Sequence, residues 1–441
     1  MRILLLSVIL LVASLANAQD WTKLDSAGFI RAVAASSAKL DTKRSLQKIN
    51  KYVADPAIKG DSLYRLLTQW NDYPRLSKTG IISEFNVTLD TNYKVPVLIY
   101  VPKNYNPAHK TSVLVYFKGG WLSRKQAPVD YAREIVKDNP TFAYLDQQNV
   151  IEIFPVLDSK LAIYGYYGYK HLNAIVAETK KLFNVDDNKV YLAGFSDGGK
   201  TVYNAAGYVS TPFACFYAIN GMFVSPPEYY NMINRPLVSF VAEKDQLTDS
   251  RSIQSKAAFV TKLGGDWNYR FMSGKKHFYH PYQAEVLPWV FTHMQTKTRN
   301  PFPASLTYVS QENYKDFHGI DWLQIKVDTK KNPEPWHRTD SVETFGTDGT
   351  ERNYRYGNKI GQAKAGYFDN TFTLTTSQVT EVTVYISPLM VDLSQPVRIV
   401  VNGKELFSGK VDYSKELMAE RFQQFFDRQQ VWVNKITVAV D

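Results

Sequence analysis

The sequence predicts an α/β protein in which a mostly parallel sheet carries helices on both faces. Short, continuously apolar runs such as Val113–Phe117 and Val150–Val156 are typical of strands that are buried on both sides. Amphipathic stretches such as Leu172–Phe183 separate these runs and have helical spacing. Strands that alternate with helices favour a parallel sheet, because each parallel connection needs a crossover.

The N-terminus has the pattern of an export signal. Arg2 supplies a positive end, Ile3–Val12 is an apolar run, and Ala16-Asn17-Ala18 is a small-x-small cleavage site. The apolar run is too short to cross a bilayer comfortably and no later run is longer, so we expect removal of 1–18 and no membrane span. The single cysteine, Cys215, cannot form an internal disulfide, which favours a secreted or periplasmic bacterial protein.

A helical N-terminal region is predicted over 19–80. Apolar residues recur at helical spacing, first at Phe29, Ile30 and Val33 and again towards residue 70. Since these helices are short and amphipathic, we expect them to pack on the domain that follows.

The α/β domain is predicted over 81–298. Two alternating β-rich runs, Ile82–Leu89 and Lys94–Val101, predict an antiparallel pair at its start. The later strands are predicted at Val113–Phe117, Val150–Val156, Val190–Ala193, Phe216–Ile219, Leu237–Ala242 and Asn268–Met272. Helices are predicted between and after them at Leu172–Phe183, Lys200–Tyr208, 250–263 and 283–297.

The pattern changes at Asn300-Pro301-Phe302-Pro303. Beyond it, short β-rich runs without intervening helices predict a separate β-sandwich-like accessory domain over 299–441. Asn402-Gly403 between two such runs predicts a hairpin, and 414–426 is predicted to be helical.

Composition excludes some function classes. Hydrophobic residues make up 44% and charged residues 21%, which is typical of a globular protein and excludes disorder. The formal net charge is +10, but the basic residues are scattered and form no basic-aromatic module, so we expect no nucleic-acid partner. Scattered positive charge is usual on a solvated surface, and it also favours contact with acidic polysaccharide or an anionic envelope.

The segment Val190–Gly199 contains Gly194-x-Ser196-x-Gly198 between a predicted strand and a predicted helix. A nucleophile elbow needs this setting, because the serine sits on a sharp turn and the glycines let strand and helix approach closely. The alternative is an ordinary glycine-rich turn in which Ser196 only caps the helix.

A serine hydroxyl needs a base to act as a nucleophile. With an elbow of this kind the acid and then the histidine follow the serine in the chain. Five histidines precede Ser196, lie in the last helix or fall in the β region: His109, His171, His293, His318 and His337. His277 and His280 remain, on the predicted loop after Asn268–Met272; we favour His277, just past a glycine, and His280 stays open.

The acid is expected soon after the strand Leu237–Ala242. Asp245 lies three residues beyond that strand, where a loop can turn towards the histidine and accept its Nδ1–H. Glu243 and Asp249 are the alternatives, and all three could be solvated loop charges.

Backbone N–H donors are needed for a developing oxyanion. One is expected from Asp197, directly after the serine. The other is expected from the loop Lys118-Gly119-Gly120-Trp121 after Val113–Phe117, with Gly120 or Trp121 as the candidate. A simple tight turn is the alternative for the glycine pair.

Residues 93–298 resemble the α/β-hydrolase superfamily, and within it the secreted carboxylesterases and prolyl-oligopeptidase-like catalytic domains. Lys118 stands where that family usually has the histidine of His-Gly-Gly, and Ala242 stands where it usually has the glycine of Gly-x-x-Asp. The resemblance implies the α/β-hydrolase fold and a Ser-His-Asp triad. The matching segments are VPVLIYVPKNYNP, LVYFKGGW, NVDDNKVYLAGFSDGG, VAEKD and GKKH.

Three tyrosines are candidates for substrate binding. Tyr164, Tyr166 and Tyr167 lie in the segment Tyr-Gly-Tyr-Tyr-Gly-Tyr, in a loop that borders the active site in the fold implied by this resemblance. They could stack on a sugar ring or a feruloyl group, or they could simply pack a helix.

The sequence therefore predicts an exported serine hydrolase that cleaves a carboxylic ester, of which an acylated polysaccharide is one candidate, through an acyl-enzyme. No Cys/His or carboxylate cluster has metal-ligand spacing, so we expect neither metal nor organic cofactor. One alternative is a prolyl-oligopeptidase-like serine peptidase, although too few residues precede the sheet for the β-propeller that gates many of these. The other is an inactive carbohydrate-binding or envelope protein. The oligomeric state is not predicted.

Overall fold

The computed structural model has the α/β architecture that the sequence predicts. The predicted export signal over 1–18 and the predicted helix around Phe29 lie outside the residues it describes. Those residues are 43–76, 78–88, 94–120, 130–131, 134–135, 141–156, 166–222, 229–312, 319–355 and 359–440.

An eight-stranded sheet forms the centre of the α/β domain, in the order β1-β2-β4-β3-β5-β6-β7-β8. β1 pairs antiparallel with β2, and β2 with β4, whereas the other neighbours are parallel. The prediction of an initial antiparallel pair and a parallel remainder is confirmed. The strands are β1 (Ile81–Thr88), β2 (Lys94–Val101), β3 (Thr111–Phe117), β4 (Val150–Pro155), β5 (Val185–Phe195), β6 (Cys215–Ile219), β7 (Leu237–Lys244) and β8 (Trp267–Lys276).

Helices cover both faces of this sheet. The side chains of a strand alternate between the two faces, so an apolar strand needs a covering layer on each side. Leu114 belongs to the core under α3 and α7, whereas its neighbour Val115 belongs to the core under α4, α5 and α6. Burial on both faces is the physical reason for the continuously apolar strands. The helices of the described part of this domain are α3 (Phe142–Gln148), α4 (Tyr166–Leu182), α5 (Asp197–Tyr208), α6 (Ser250–Lys262) and α7 (Gln283–Thr296).

The C-terminal region consists of two sheets that share one core, together with a separate two-stranded hairpin. The strand pairs of its described residues are antiparallel except β15 with β17, which is parallel. A five-stranded sheet has the order β18-β17-β15-β14-β9, a four-stranded sheet has the order β10-β11-β16-β19, and β12 and β13 form a hairpin. Asn402 and Gly403, both with positive φ, make the predicted tight turn between β17 and β18. The strands are β9 (Ser305–Gln311), β10 (Gly319–Ile320), β11 (Leu323–Val327), β12 (Ser341–Phe345), β13 (Glu351–Arg355), β14 (Ile360–Phe368), β15 (Thr371–Ser377), β16 (Val379–Ile386), β17 (Val397–Val401), β18 (Lys404–Gly409) and β19 (Asn434–Ala439).

Two N-terminal helices, α1 (Lys43–Ala54) and α2 (Gly60–Thr68), pack on the C-terminal region rather than on the sheet that follows them. They meet α8 (Lys415–Phe425), which occupies the stretch predicted to be helical. Trp70, just after α2, makes an edge contact with Phe426 at 5.6 Å between ring centroids. The expectation that these helices pack on the following domain is therefore corrected: their apolar faces match an apolar surface that is distant in sequence.

A buried group of ion pairs joins the α/β domain to the C-terminal region. Arg299, whose side chain is fully buried, lies 2.9 Å from Asp427. Lys180 of α4 lies 2.7 Å from Asp427 and, without hydrogen-bond geometry, 3.2 Å from Asp187. Arg428 donates to Asp187 at 2.8 Å. The domain boundary at 298–299 remains a prediction. The contacts of Lys180 with Asp427 and of Arg428 with Asp187 cross it, whereas Arg299 and Asp427 both lie on its C-terminal side.

Removing one charge from this group is expected to destabilise the protein. In Asp427→Asn the buried Lys180 and Arg299 lose a carboxylate, and breaking a buried pair in this way costs about 3–5 kcal/mol. Burial disfavours the Asp427 carboxylate, but Arg299 and Lys180 outweigh burial and lower the pKa of Asp427. Since the folded-state pKa lies below the unfolded one, this stabilisation is present at neutral pH and is lost as the pH falls through the folded-state value.

The measurement is the free energy of unfolding in urea at neutral pH. The matched control is Asp412→Asn, which removes a carboxylate from the exposed pair with Lys410. The control is expected to change the free energy of unfolding by less than about 0.5 kcal/mol. Equal effects of the two substitutions would contradict the assignment of a stabilising role to the buried group.

Candidate active site

Ser196 occupies a sharp turn between β5 and α5. Its backbone has φ 56° and ψ −114°, in the left-handed region that a non-glycine residue rarely adopts. The Ser196 N–H donates to the Ile219 carbonyl at 2.9 Å, and the Ser196 carbonyl accepts from the Lys200 N–H at 3.0 Å. Hydrogen bonds to the adjacent strand and to the helix thus hold this strained backbone in place. A strained backbone persists only when its surroundings fix it in this way.

The two glycines of the motif allow the strand and the helix to touch. A Cβ on Gly194 would lie 2.3 Å from the Gly198 carbonyl carbon, and a Cβ on Gly198 would lie 1.9 Å from the Phe117 oxygen. No side chain fits at either position without moving backbone. This is the close approach for which the sequence predicted glycine.

The structure brings together the three residues that the sequence singled out. The Nε2 atom of His277 lies 2.9 Å from Oγ of Ser196, and its Nδ1 lies 2.8 Å from Oδ2 of Asp245. The other carboxylate oxygen of Asp245 accepts the N–H groups of Leu247 at 2.8 Å and Thr248 at 3.2 Å. The side chains of His277 and Asp245 are only 4% and 1% exposed, so water does not compete for these hydrogen bonds.

The alternatives have other partners. His280 is exposed and begins a short 3₁₀ turn. Glu243 accepts the Gly274 N–H at 2.6 Å, and this bond lowers the pKa of the exposed Glu243 carboxyl group. Asp249 caps α6 by accepting the Arg251 N–H at 2.9 Å. None of the three forms a hydrogen bond with the Ser196 hydroxyl, whose partner is His277.

β8 continues to Lys276, whereas the sequence predicts a strand end at Met272 followed by a loop. β7 likewise continues to Lys244, and the two strands stay paired through an irregularity after Ala242. The Glu243 carboxylate of β7 accepts the Gly274 N–H of β8, and this hydrogen bond joins the two extended strand ends. His277 is therefore the first residue past a strand, which restricts its position more tightly than a free loop would.

Asn220 is a site residue that the sequence did not reveal. It follows β6, and its Nδ2 donates to the His277 carbonyl at 2.6 Å and to the Tyr282 hydroxyl at 2.7 Å. Its Oδ1 accepts the Ala242 N–H at 2.9 Å. One buried amide therefore ties the end of the strand before Asp245 to the segment that carries His277. In the sequence Asn220-Gly221 only resembles a turn.

We expect Asn220→Ala to lower kcat by about 10²-fold, because small misplacements of a reacting group have effects of that size. KM on a small aryl ester should change much less, since the amide does not line the pocket beside Ser196. The control is Asn231→Ala, which removes a buried amide that bonds Gly207 and Val309 away from the site. Equal kcat losses in both variants would show a general effect on stability instead of positioning.

The predicted oxyanion donors border Ser196. Asp197 is the first residue of α5, where N–H groups have no partner within the helix. Gly119 runs against the serine, because a Cβ there would lie 2.8 Å from the Ser196 Cβ. Gly120 follows with φ 76° in an open position, and Trp121 lies outside the described residues. The donor roles of Asp197, Gly120 and Trp121 remain predictions.

A pocket of about 590 Å³ opens beside Ser196 and His277. The ion pair between Lys118 and Glu134 borders it, and the Lys118 ammonium lies 4.9 Å from the Tyr131 ring centroid. The rest of the wall is mainly apolar and aromatic, so the pocket suits an apolar or aryl group next to the serine. Its aromatic residues are Tyr116, Tyr131, Phe154, Phe195, Phe278 and Tyr279.

The predicted substrate tyrosines are only partly covered by the structure. Tyr164 lies outside the described residues, and Tyr166 and Tyr167 form the start of α4 rather than part of a loop. The structure therefore leaves their predicted role in binding untested.

Within the described residues no helix is long and apolar enough to cross a membrane. Over the same residues no group of three or more His, Cys, Asp or Glu side chains is arranged to hold a metal ion.

No protein-family pattern matches the chain, and no curated protein sequence matches it. Solved structures similar to it include a feruloyl esterase module from Clostridium thermocellum, with 13% identity and TM-score 0.40 over 49% of this chain and 89% of that chain. An S-formylglutathione hydrolase from Staphylococcus aureus has 13% identity and TM-score 0.40 over 50% and 99%. An esterase from Thermogutta terrifontis has 14% identity and TM-score 0.40 over 48% and 93%.

Proposed function

We propose that this protein is an exported serine hydrolase that cleaves carboxylic esters through an acyl-enzyme. The observation that supports it is the line of contacts from Asp245 through His277 to Ser196, at 2.8 and 2.9 Å, with the serine on a strained turn. A serine, a histidine and a buried carboxylate in this geometry activate the hydroxyl for attack on an acyl carbon.

Each residue has one task in this mechanism. Ser196 Oγ attacks the ester carbon while His277 Nε2 takes its proton, and Asp245 accepts Nδ1–H and stabilises the imidazolium. The N–H of Asp197 and the glycine loop after β3 donate to the oxyanion. His277 then protonates the leaving alcohol as the C–O bond breaks, which leaves the acyl group on Ser196. A water molecule then attacks the acyl carbon while His277 takes its proton. His277 returns that proton to Ser196 Oγ as the acyl–serine bond breaks, and the free acid is released.

The substrate that we propose is an ester of an apolar or aryl acyl group on a polysaccharide. The aromatic wall of the pocket supports the acyl part, since such rings bury large apolar area. The positive net charge of +10 and the predicted export signal support a polysaccharide outside the cytoplasm as the alcohol part. Residues 1–18 would direct the protein to the periplasm or the medium.

The experiment that tests the proposal is labelling of the purified protein with a fluorophosphonate, followed by a substrate panel. We expect wild type to be labelled and Ser196→Ala to stay unlabelled. The panel compares aryl esters, acylated oligosaccharides and a prolyl peptide amide. Failure of wild type to react would exclude a serine hydrolase, and preferred cleavage of the peptide amide would identify a peptidase.

A further inference from the structure

A second cavity, of about 540 Å³, lies between α4 of the α/β domain and the C-terminal region, and we call it the interdomain cleft. It shares no described lining residue with the pocket beside Ser196. Its size falls within the range of about 300–1,000 Å³ that is usual for ligand sites. Elements of both domains form its walls, as is common for binding sites.

The cleft carries an excess of positive charge. Its two carboxylates are already neutralised: Asp427 contacts Lys180 and Arg299, and Asp321 accepts two hydrogen bonds from Arg235, at 2.6 and 2.8 Å. Arg421 is therefore left as a cation that no carboxylate of the described residues neutralises. The charged residues among its described lining are Lys170, Lys180, Arg299, Arg421, Asp321 and Asp427.

Arg421 presents a fixed cation to this space. Its guanidinium carbon lies 4.7 Å from the Tyr385 ring centroid and 4.6 Å from that of Phe425. Its Nη1 donates to Gln424 at 2.8 Å. Among the described residues its buried Nε has no acceptor, and no carboxylate forms an ion pair with its guanidinium. Burial accordingly lowers the pKa of Arg421. Because two rings hold the guanidinium in place, the Arg421 side chain loses little further conformational entropy when it binds an anion.

Amides and rings border this cation. Asn173 and Gln324 offer hydrogen-bond donors and acceptors, and Tyr208 offers a half-exposed ring. A ligand complementary to these walls has a carboxylate for the cation, several hydroxyl groups for the amides and an apolar C–H face for the ring. Sugars with carboxylate groups combine these three features.

We infer that the interdomain cleft binds a carboxylate-bearing sugar chain, with Arg421 at the carboxylate. The inference does not depend on the proposed chemistry at Ser196, since no described lining residue of the cleft also lines the pocket beside Ser196. If both proposals hold, the cleft retains an acidic polysaccharide while the serine site acts on its esters.

The test is calorimetric titration of the full chain carrying Ser196→Ala, which prevents turnover. The probes are a trimer of galacturonic acid, a neutral galactose trimer of the same length, and inorganic phosphate. We expect the acidic trimer to bind about tenfold or more tightly than the neutral trimer and phosphate. Rising salt should weaken its binding, because the contact is ionic. Equal binding of the acidic trimer and either other probe would overturn the inference.

Two cleft variants locate the site. Arg421→Gln removes the cation, and Asn173→Asp adds a carboxylate at a half-buried position that makes no hydrogen bond to the described residues. Both should weaken binding of the acidic trimer by about tenfold or more. Arg398→Gln, which removes a cation from an exposed pair with Glu405 on the edge of the five-stranded sheet, should bind as wild type does.

Thermal melting shows whether each variant is folded. If Arg421→Gln unfolds, the Asn173→Asp variant still tests the inference, because the Asn173 side chain makes no hydrogen bond to the described residues and the substitution keeps its size. Wild-type affinity in a folded Asn173→Asp protein, or equal losses in it and in Arg398→Gln, would overturn the inference.

Discussion

Ser196→Ala is expected to lower kcat on an aryl ester by about 10⁴ to 10⁶, the usual effect of losing a triad member. The hydroxyl is the only group that Nε2 of His277 contacts at hydrogen-bond distance in the described part of the chain. The fold should persist, because the turn is held through the backbone of Ser196, by Ile219 and Lys200, and not through its side chain. Kinetics and the melting temperature together check both halves of this expectation.

The control for this variant is Ser210→Ala, a buried serine in the same domain that does not line the pocket. It should keep the wild-type kcat. If the Ser196→Ala protein retained more than about a hundredth of the wild-type activity, Ser196 would not be the nucleophile.

His277→Ala is expected to lose activity as completely as Ser196→Ala, whereas His280→Ala should keep at least about a tenth of it. The two histidines lie three residues apart and both border the pocket, so they form a matched pair. Only His277 contacts both Ser196 and Asp245, while His280 is exposed and begins a 3₁₀ turn. The measurement is kcat/KM on the same ester; severe loss in His280→Ala with near-normal His277→Ala would reverse the assignment.

Asp245→Asn should lower kcat by about 10⁴ while Ser196 and His277 stay in place. An amide can donate to Nδ1 and so favours the wrong tautomer of His277, although the N–H bonds from Leu247 and Thr248 can still hold the side chain. An aspartate with a purely structural role would instead show a lower melting temperature with little change in kcat.

The sequence predicted what depends on local rules. The elbow around Ser196 is a local motif. Chain order and the predicted strand ends after it favoured Asp245 and His277 but left Glu243, Asp249 and His280 open. Asn220 was not predictable in the same way, because its role arises only where the ends of β6, β7 and β8 meet. A single asparagine before a glycine gives no indication of hydrogen bonds to three residues that are distant in the sequence.

Contacts between segments that are distant in the sequence could not be predicted either. Spacing shows that α2 has an apolar face, but not that Leu63 and Leu67 share a core with Phe426. Strand ends were misplaced for a related reason: the pairing of Lys244 with Lys276 depends on an irregularity and on the Glu243 side chain.

The packing of α1 and α2 on α8 sets an order for folding. The Lys415 ammonium donates to the Asp55 carbonyl, and these residues lie 360 positions apart in the chain. Gly60 lies so close to Tyr413 that a Cβ there would approach the Tyr413 Cβ to 2.3 Å. The apolar faces of α1 and α2 therefore stay uncovered until α8 has been synthesised. Contacts of such long range slow folding, because a long loop must close before these contacts can stabilise the protein.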